Sequence, residues 1–188
     1  MELIDRLFEC CIEEFKESGV KFTMDSLAKR AGISKRTLYE MISSKNQAIE
    51  LAIDRTFEDI KRQQKNILGN EKLDTLDKCR KLFAIVPTYA SILDYRRINE
   101  IKNAYPQLYT KIETKIETDW ESAIELLHQA QKEGIIRTIN ITVLKLMLCE
   151  VYERLINGEI LIQNQISYQE AMDEMVSIIF DGICIRKD

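Results

Sequence analysis

The sequence predicts an all-α protein of about nine helices. Only six glycines and two prolines interrupt its 188 residues, so few positions would break a helix. Apolar residues recur at intervals of three and four along most of the chain, which is the spacing of one helix face. Hydrophobic residues make up 45% of the chain and charged residues 31%, a balance that favours a compact core over a tail or fibre.

The first helices can be placed from their end signals. A stripe of apolar residues predicts the first helix over Leu3–Glu17, with Gly19 just past its end. Thr23 and Ser34 each precede a short apolar pattern and are expected N-caps, because their hydroxyls accept from free N–H groups of a first turn. Gly32 lies between the two patterns, where it can end a helix in the left-handed conformation.

The segment Met24–Ser43, MDSLAKRAGISKRTLYEMIS, therefore predicts a helix-turn-helix. Two short helices that cross steeply need a small residue at their contact and often a glycine in the turn. Ala28 and Gly32 occupy these positions. The apolar residues expected in the shared core are Leu27, Ala28, Ala31, Ile33, Leu38 and Met41. The alternative is an amphipathic helix pair with a solvated charged face.

The polar residues of the second helix predict a DNA-reading face. In such motifs the N-terminal part of this helix reaches base edges in the major groove. Arg36 is the candidate for direct readout, since a guanidinium can donate twice to guanine, whereas its polar neighbours are expected to bind phosphate. Lys45 is expected to bind phosphate at the start of the next helix. The complete DNA-binding set is Thr23, Met24, Lys35, Arg36, Thr37, Tyr39 and Lys45.

The charge distribution agrees with this interpretation despite a net charge of −4. Between Lys21 and Lys45 there are six basic and two acidic residues, a local net charge of +4. The first helix is instead rich in glutamate. We therefore expect a basic patch on an acidic body, which would orient the head toward phosphate.

The rest of the chain predicts a long connector helix and a helical body. The connector runs from Lys45 to about Leu68, where Gly69 follows. Segment 158–166 is either a loop or a helix extension. The further predicted helices are Asp74–Ile85, Thr88–Asn103, Pro106–Glu133, Ile141–Asn157 with Asn140 as N-cap, and Tyr168–Ile185 with Ser167 as N-cap.

The head resembles that of TetR-family transcriptional regulators. The matches are Ala31–Lys35 (AGISK), Thr37–Tyr39 (TLY) and Ser44–Lys45, within a resemblance that covers about the first 50 residues. It implies a three-helix DNA-binding domain over residues 1–46 and an effector-binding and dimerisation domain over 47–188. It also implies a homodimer that binds an inverted-repeat operator in double-stranded DNA. Arg36 departs from the small residue common there, so the operator sequence does not follow.

The predicted helices Ile141–Asn157 and Tyr168–Ile185 indicate how the chain assembles. Their apolar faces are broad for one protomer to cover alone, and two copies would form a four-helix bundle, as the family resemblance implies. The alternative is that both faces are internal core. The expected interface residues are Leu144, Leu148, Val151, Leu155, Met172, Met175 and Ile179.

Aromatic and apolar residues of the body are candidates for an effector pocket. Such sites are mostly apolar with a few polar groups, and a small hydrophobic effector is expected. For each residue, ordinary core or surface placement is the alternative. The candidate set is Phe83, Tyr89, Trp120, Ile124, His128, Met147 and Tyr152.

Enzymatic function is not expected, and no catalytic residue, metal ligand or cofactor is predicted. The chain has no glycine-rich phosphate loop and no histidine-rich metal motif, since it contains one histidine. No segment has the length of a membrane span or the pattern of a signal peptide, which predicts a cytoplasmic protein. The competing hypotheses are a helical dimer that binds a ligand or protein without DNA, and a thiol redox sensor using some of the five cysteines.

Overall fold

The computed structural model describes residues 3–88, 95–157 and 159–185. These ranges contain eleven α-helices and a 3₁₀ turn at Gly19–Lys21, which confirms the all-α prediction. The helices are α1 Leu3–Ser18, α2 Met24–Ala31, α3 Lys35–Met41, α4 Lys45–Leu68, α5 Thr75–Phe83, α6 Tyr95–Ala104, α7 Pro106–Glu117, α8 Glu121–Lys132, α9 Ile141–Ile156, α10 Glu159–Gln163 and α11 Tyr168–Ile183.

Local side-chain chemistry sets several helix ends where the sequence predicts them. The hydroxyls of Thr23, Ser34 and Ser167 accept from the backbone N–H three residues later, as does the side chain of Asn140. Each cap satisfies a donor that the first turn leaves without a partner. Gly32 ends α2 in the left-handed conformation with φ 64°. The predicted caps are therefore confirmed.

One predicted helix forms two separate helices in the structure. The expected helix Pro106–Glu133 is interrupted after Glu117, and α8 begins at Glu121. Asp119 lies at the break with φ 62°, a left-handed conformation that aspartate tolerates better than most residues. The Trp120 indole N–H donates to the Ile116 carbonyl at 2.8 Å, so a side chain replaces one helical hydrogen bond. No glycine or proline marks this position, which is why the pattern indicates a continuous helix.

Two other segments refine the prediction. After α9 the chain forms the five-residue helix α10, where the sequence left a loop or an extension open. The expected helix Thr88–Asn103 corresponds to α6 from residue 95 onward, and its residues 89–94 lie outside the described part. Ile136 and Cys184 also form an isolated antiparallel bridge, which the sequence did not indicate.

The chain divides into two compact units. Unit 1 comprises Met1–Asp59 and Pro87–Ile112, and its buried core includes Leu7, Leu27 and Leu38. Because α6 lies in this unit, the head helices pack with residues about 80 positions away in sequence.

Unit 2 comprises Ile60–Val86 and Glu113–Asp188. Its core includes Phe83, Leu127, Leu148 and Phe180. The predicted boundary between residues 46 and 47 separates DNA binding from effector binding and dimerisation. It stays a prediction, because the two compact units describe packing and not function. No helix in the described ranges is long and apolar enough to cross a membrane.

Candidate nucleic-acid interface

Helices α2 and α3 meet through small and apolar side chains. Ala28, Ala31 and Leu38 are almost completely buried. The Ile33 N–H donates to the Ala28 carbonyl at 3.1 Å, and Gly32 supplies the left-handed residue that this turn requires. Because Leu38 points into the core, the opposite face of α3 is directed to solvent.

The exposed face of α3 carries most of the predicted DNA contacts. Lys35, Arg36 and Tyr39 are exposed, and the Arg36 side chain is 90% accessible. Thr37 is half-buried, and its hydroxyl oxygen lies 2.9 Å from that of Ser34. These four side chains occupy adjacent turns of one short helix, so a single element presents a guanidinium, an ammonium and two hydroxyls.

Thr23 and Met24 lie at the start of α2. The Thr23 hydroxyl accepts from the Ser26 N–H at 3.0 Å, and the side chain is exposed. Met24 is 9% exposed and belongs to the core. The structure therefore gives Thr23 a capping role beside the proposed interface, and it places the side chain of Met24 inside the head rather than on its surface.

Lys45 begins α4 as expected, but its ammonium is not directed freely to solvent. The Nζ atom lies 5.0 Å from the centroid of the Phe22 ring, within the range of a cation–π contact. Burial lowers the pKa of this ammonium from its ordinary value. The Ser44 hydroxyl accepts from the Gln47 N–H at 3.2 Å and caps the helix.

Carboxylates of the head engage three of its cations, which sequence counting did not reveal. Arg30 pairs with Glu14 at 2.6 Å, with Glu13 at 3.1 Å and with Glu17. The hydrogen bonds that Arg30 donates to these carboxylates raise the pKa of its guanidinium. The Arg30 charge therefore joins α2 to the acidic α1 and contributes less to a basic surface than the local net charge implies.

The other two engaged cations lie on α3. Lys35 Nζ is 2.5 Å from Asp25 Oδ2, and Arg36 Nε is 3.0 Å from Glu40 Oε1. All four side chains are mostly exposed. The Arg36–Glu40 pair could have been expected from its spacing of four along a helix. The Lys35–Asp25 pair depends on how α2 and α3 cross.

Some predicted effector residues are brought together in unit 2. The ring centroid of Trp120 lies 6.1 Å from that of Phe83 and 6.1 Å from that of Tyr152. The Tyr152 hydroxyl donates to the Phe83 carbonyl at 3.0 Å, and burial raises its pKa. Ile124 is half-buried against the same core. We name Phe83, Trp120 and Tyr152 the aromatic cluster.

The remaining candidates lie elsewhere. His128 is exposed on α8, and Met147 is exposed on α9. Tyr89 lies outside the described residues. In the part of the chain that the structure describes, no group of three or more histidine, cysteine, aspartate or glutamate residues is arranged to hold a metal ion.

The predicted dimer residues separate into inward and outward sets. Leu144, Leu148 and Met172 are buried within a single chain, so their side chains pack in the core and are not available to a partner. Val151 is exposed, whereas Leu155, Met175 and Ile179 are half-buried. The alternative of internal core is thus the better description of the first three.

A different apolar set is exposed on the same helices. On α9 these residues are Val143, Leu146, Met147 and Val151, at positions i, i+3, i+4 and i+8 of the helix. On α11 Ile178 is 65% exposed. We name Val143, Leu146, Met147, Val151 and Ile178 the outer apolar face.

Comparisons with known proteins agree with this geometry. No family model matches the chain. It is 28% identical over 168 residues to the uncharacterized HTH-type transcriptional regulator YvaF of Bacillus subtilis (strain 168), covering 89% of this chain and 88% of that protein. The TetR-family transcriptional regulator PfmR from Thermus thermophilus superposes with a TM-score of 0.66 at 16% identity, covering 97% of this chain and 100% of that chain.

A second solved structure is AibR in complex with isovaleryl coenzyme A and operator DNA. It has a TM-score of 0.60 and 16% identity, and it covers 95% of this chain and 98% of that chain. The chain therefore has the fold of TetR-family transcriptional regulators, which confirms at the level of fold the resemblance seen in the head sequence.

Proposed function

We propose that this chain, which has the fold of TetR-family regulators, is a sequence-specific DNA-binding transcriptional regulator, a repressor released by a small effector. The observation that carries the proposal is α3, whose buried Leu38 fixes an outward face of Lys35, Arg36, Thr37 and Tyr39. We assign DNA binding to residues 1–46 and effector binding with dimerisation to residues 47–188. YvaF is an HTH-type transcriptional regulator and PfmR is a TetR-family transcriptional regulator, which supports this proposal.

On DNA, the face of α3 would lie in the major groove. Arg36 would donate to O6 and N7 of a guanine, a contact that discriminates between bases by about 1–3 kcal/mol. Lys35, Thr37 and Tyr39 would bind phosphate and fix the register of the helix. A protein that binds an operator acts where the chromosome is, so we place it in the cytoplasm.

Selection of duplexes from a random pool, repeated at two salt concentrations, tests DNA binding. We expect an enriched inverted repeat with half-sites about one helical turn apart, roughly 34 Å, and affinity that falls as salt rises. Arg36→Ala should weaken operator binding about 5- to 150-fold. Lys132→Ala, which removes an exposed cation of α8, is the matched control and should bind normally. No enriched sequence, or equal binding by both variants, would contradict the proposal.

The inverted repeat requires a dimer, and the outer apolar face is the proposed interface. Monomeric proteins rarely expose large contiguous apolar patches, yet Leu146 is 62% and Ile178 65% exposed. Two helices from each protomer, related by a two-fold axis, would cover these side chains with identical ones. Val151 and the half-buried Leu155, Met175 and Ile179 would lie at the edge of this interface.

Light scattering after size exclusion tests the assembly. We expect a mass of twice 22.0 kDa for the unaltered chain and a monomer for Leu146→Glu. Leu3→Glu is the control, because Leu3 is an exposed leucine of α1 in the other unit. A monomer without any substitution, or a Leu146→Glu variant that stays dimeric, would refute this interface.

The effector site is proposed at the aromatic cluster of unit 2. Its support is the convergence of Phe83, Trp120 and Tyr152, with one hydroxyl aligned on a backbone carbonyl. The AibR structure holds isovaleryl coenzyme A, so an acyl thioester of coenzyme A is the first class to test. A ligand that binds one arrangement of the chain better than the other would release the operator.

Tryptophan fluorescence tests the effector site, because Trp120 is the only tryptophan. Titration with isovaleryl coenzyme A and with a long-chain acyl thioester should change the emission and lower operator affinity. Free coenzyme A is the control for binding through the nucleotide alone. Unchanged emission together with an unchanged melting temperature would exclude this class of effector at the aromatic cluster.

A further inference from the structure

We infer that Glu40 is a positioning residue for Arg36 and determines how selectively the head distinguishes an operator from other DNA. The inference rests on the proposed DNA-binding function and deepens it, because it concerns how one base contact is made specific. It follows from the pattern of hydrogen bonds at the Arg36 guanidinium.

Glu40 binds one particular nitrogen of Arg36. Its Oε1 accepts from Nε at 3.0 Å, on the same helix and one turn later. Nε is the guanidinium nitrogen attached to the aliphatic stem of Arg36. The two terminal nitrogens, Nη1 and Nη2, can therefore donate to another acceptor. Those nitrogens can reach O6 and N7 of a guanine together. Arg36 can therefore bind guanine while its bond to Glu40 persists.

A contact with phosphate requires a different position of the Arg36 side chain. With 90% of its surface accessible, Arg36 is free to swing toward the backbone of any duplex. That movement gives up the bond to Glu40 and brings the carboxylate near the phosphates. An exposed ion pair of this type contributes a factor of about two to five in an equilibrium constant. Glu40 thus disfavours non-specific contacts and leaves the guanine contact intact.

Asp25 provides the internal comparison. It pairs with Lys35 at 2.5 Å, with nearly the same exposure as Glu40, 60% against 62%. Lysine is a point charge without a planar fork, and Lys35 is proposed to bind phosphate on every duplex. Removal of Asp25 should therefore strengthen binding to operator and non-operator DNA equally.

Two other cations of the head do not reproduce this arrangement. Arg30 is engaged by carboxylates of α1, and Lys45 lies over the Phe22 ring. Among the charged side chains on α3 that the structure describes, only Arg36 and Glu40 pair an exposed guanidinium with a carboxylate of the same helix. We therefore attribute the selectivity to this pair.

The test compares Glu40→Ala with Asp25→Ala in the full-length protein. Affinity is measured on the enriched operator, on a scrambled duplex, and on operators in which 7-deazaguanine, which lacks N7, replaces single guanines. Asp25→Ala should tighten binding to both natural duplexes about two- to five-fold, with the same ratio between them. Glu40→Ala should tighten binding to the scrambled duplex only. The ratio of operator affinity to scrambled-duplex affinity should therefore fall by a similar factor.

Two further measurements separate positioning from simple charge. Loss of N7 at the contacted guanine should weaken operator binding by the unaltered protein more than it weakens operator binding by Glu40→Ala. It should leave operator binding by Arg36→Ala unchanged. In the Arg36→Ala background, Glu40→Ala should no longer change the ratio. If Glu40→Ala behaves like Asp25→Ala, or changes nothing, the inference is overturned. Failure to enrich any operator would instead refute the proposed function itself.

Discussion

Gly19→Ala offers a sharp test of how the head is held. Gly19 begins the 3₁₀ turn after α1 with φ 56°. A β-carbon there would lie 1.7 Å from Glu100 Oε2 and 2.3 Å from Arg97 Nη1. Glu100 accepts from the Val20 N–H at 2.8 Å, and Arg97 donates to the Lys16 carbonyl at 2.6 Å. Two side chains of α6 thus satisfy backbone groups where α1 ends, and alanine would displace both.

The magnitude has two parts. A left-handed backbone costs a residue with a β-carbon about 1–2 kcal/mol. Each hydrogen bond to a charged group contributes about 1.5–3 kcal/mol, but Arg97 and Glu100 are 20% and 33% exposed, so water would replace part of the loss. Losing both bonds should then cost about 2 kcal/mol. Gly19→Ala should therefore destabilise the protein by about 3–4 kcal/mol.

Gly32→Ala is the matched control in the same unit. Its φ is 64°, and the nearest atom to a new β-carbon is the flexible end of Arg6 at 2.9 Å. Only the backbone cost of about 1–2 kcal/mol should appear. At about 2–4 °C per kcal/mol for a chain of this size, Gly19→Ala should lower the melting temperature by about 10 °C and Gly32→Ala by about 4 °C.

Thermal unfolding followed by circular dichroism measures both variants, and hydrogen exchange at the Val20 amide reports the local effect. Val20 should exchange faster in Gly19→Ala but not in Gly32→Ala. In the Gly19→Ala background, Glu100→Ala should add little, because the bond is already lost. Equal losses of stability in the two glycine variants would show that the contacts from α6 contribute nothing to the stability of the head.

Three other predictions concern single side chains. Burial raises the pKa of Cys11 and Cys79 to about 12, so both thiols should resist alkylation at neutral pH until denaturant is added; rapid native alkylation would favour the redox alternative. Hydrogen bonds, first from Thr75, lower the pKa of Glu133; its stabilisation is therefore present above the unfolded pKa near 4.5 and is lost as pH falls through the folded pKa, and Thr75→Val should raise that pKa in an NMR titration. Glu14→Ala removes a buried acceptor of α1 and should cost about 1–2 kcal/mol in denaturant unfolding.

Features with short-range causes were predictable from the sequence. The N-caps at Thr23, Ser34, Asn140 and Ser167 are each satisfied by a backbone N–H three residues later. Gly32 follows from the need for a left-handed residue in a tight turn. These interactions involve neighbours in the chain, so the residue types alone specify them.

The inward and outward faces of the late helices were not predictable in the same way. α9 is apolar around much of its circumference, so periodicity selects no single buried face. Only packing against α11 shows that Leu144 and Leu148 are core, whereas Val143 and Leu146 are exposed. The predicted interface set thus includes side chains that point inward, and the association of two copies through these helices stays a prediction.

Local sequence specifies an all-α chain, its caps and the residues on the exposed face of α3, because these depend on spacings of three or four residues. Tertiary packing determines which charges of the head are already paired. Lys35 and Asp25 are ten positions apart and meet through the crossing of α2 and α3. Arg30 reaches carboxylates on α1. A count of charges cannot specify such pairs, since Coulomb energy depends on distance in space and not along the chain.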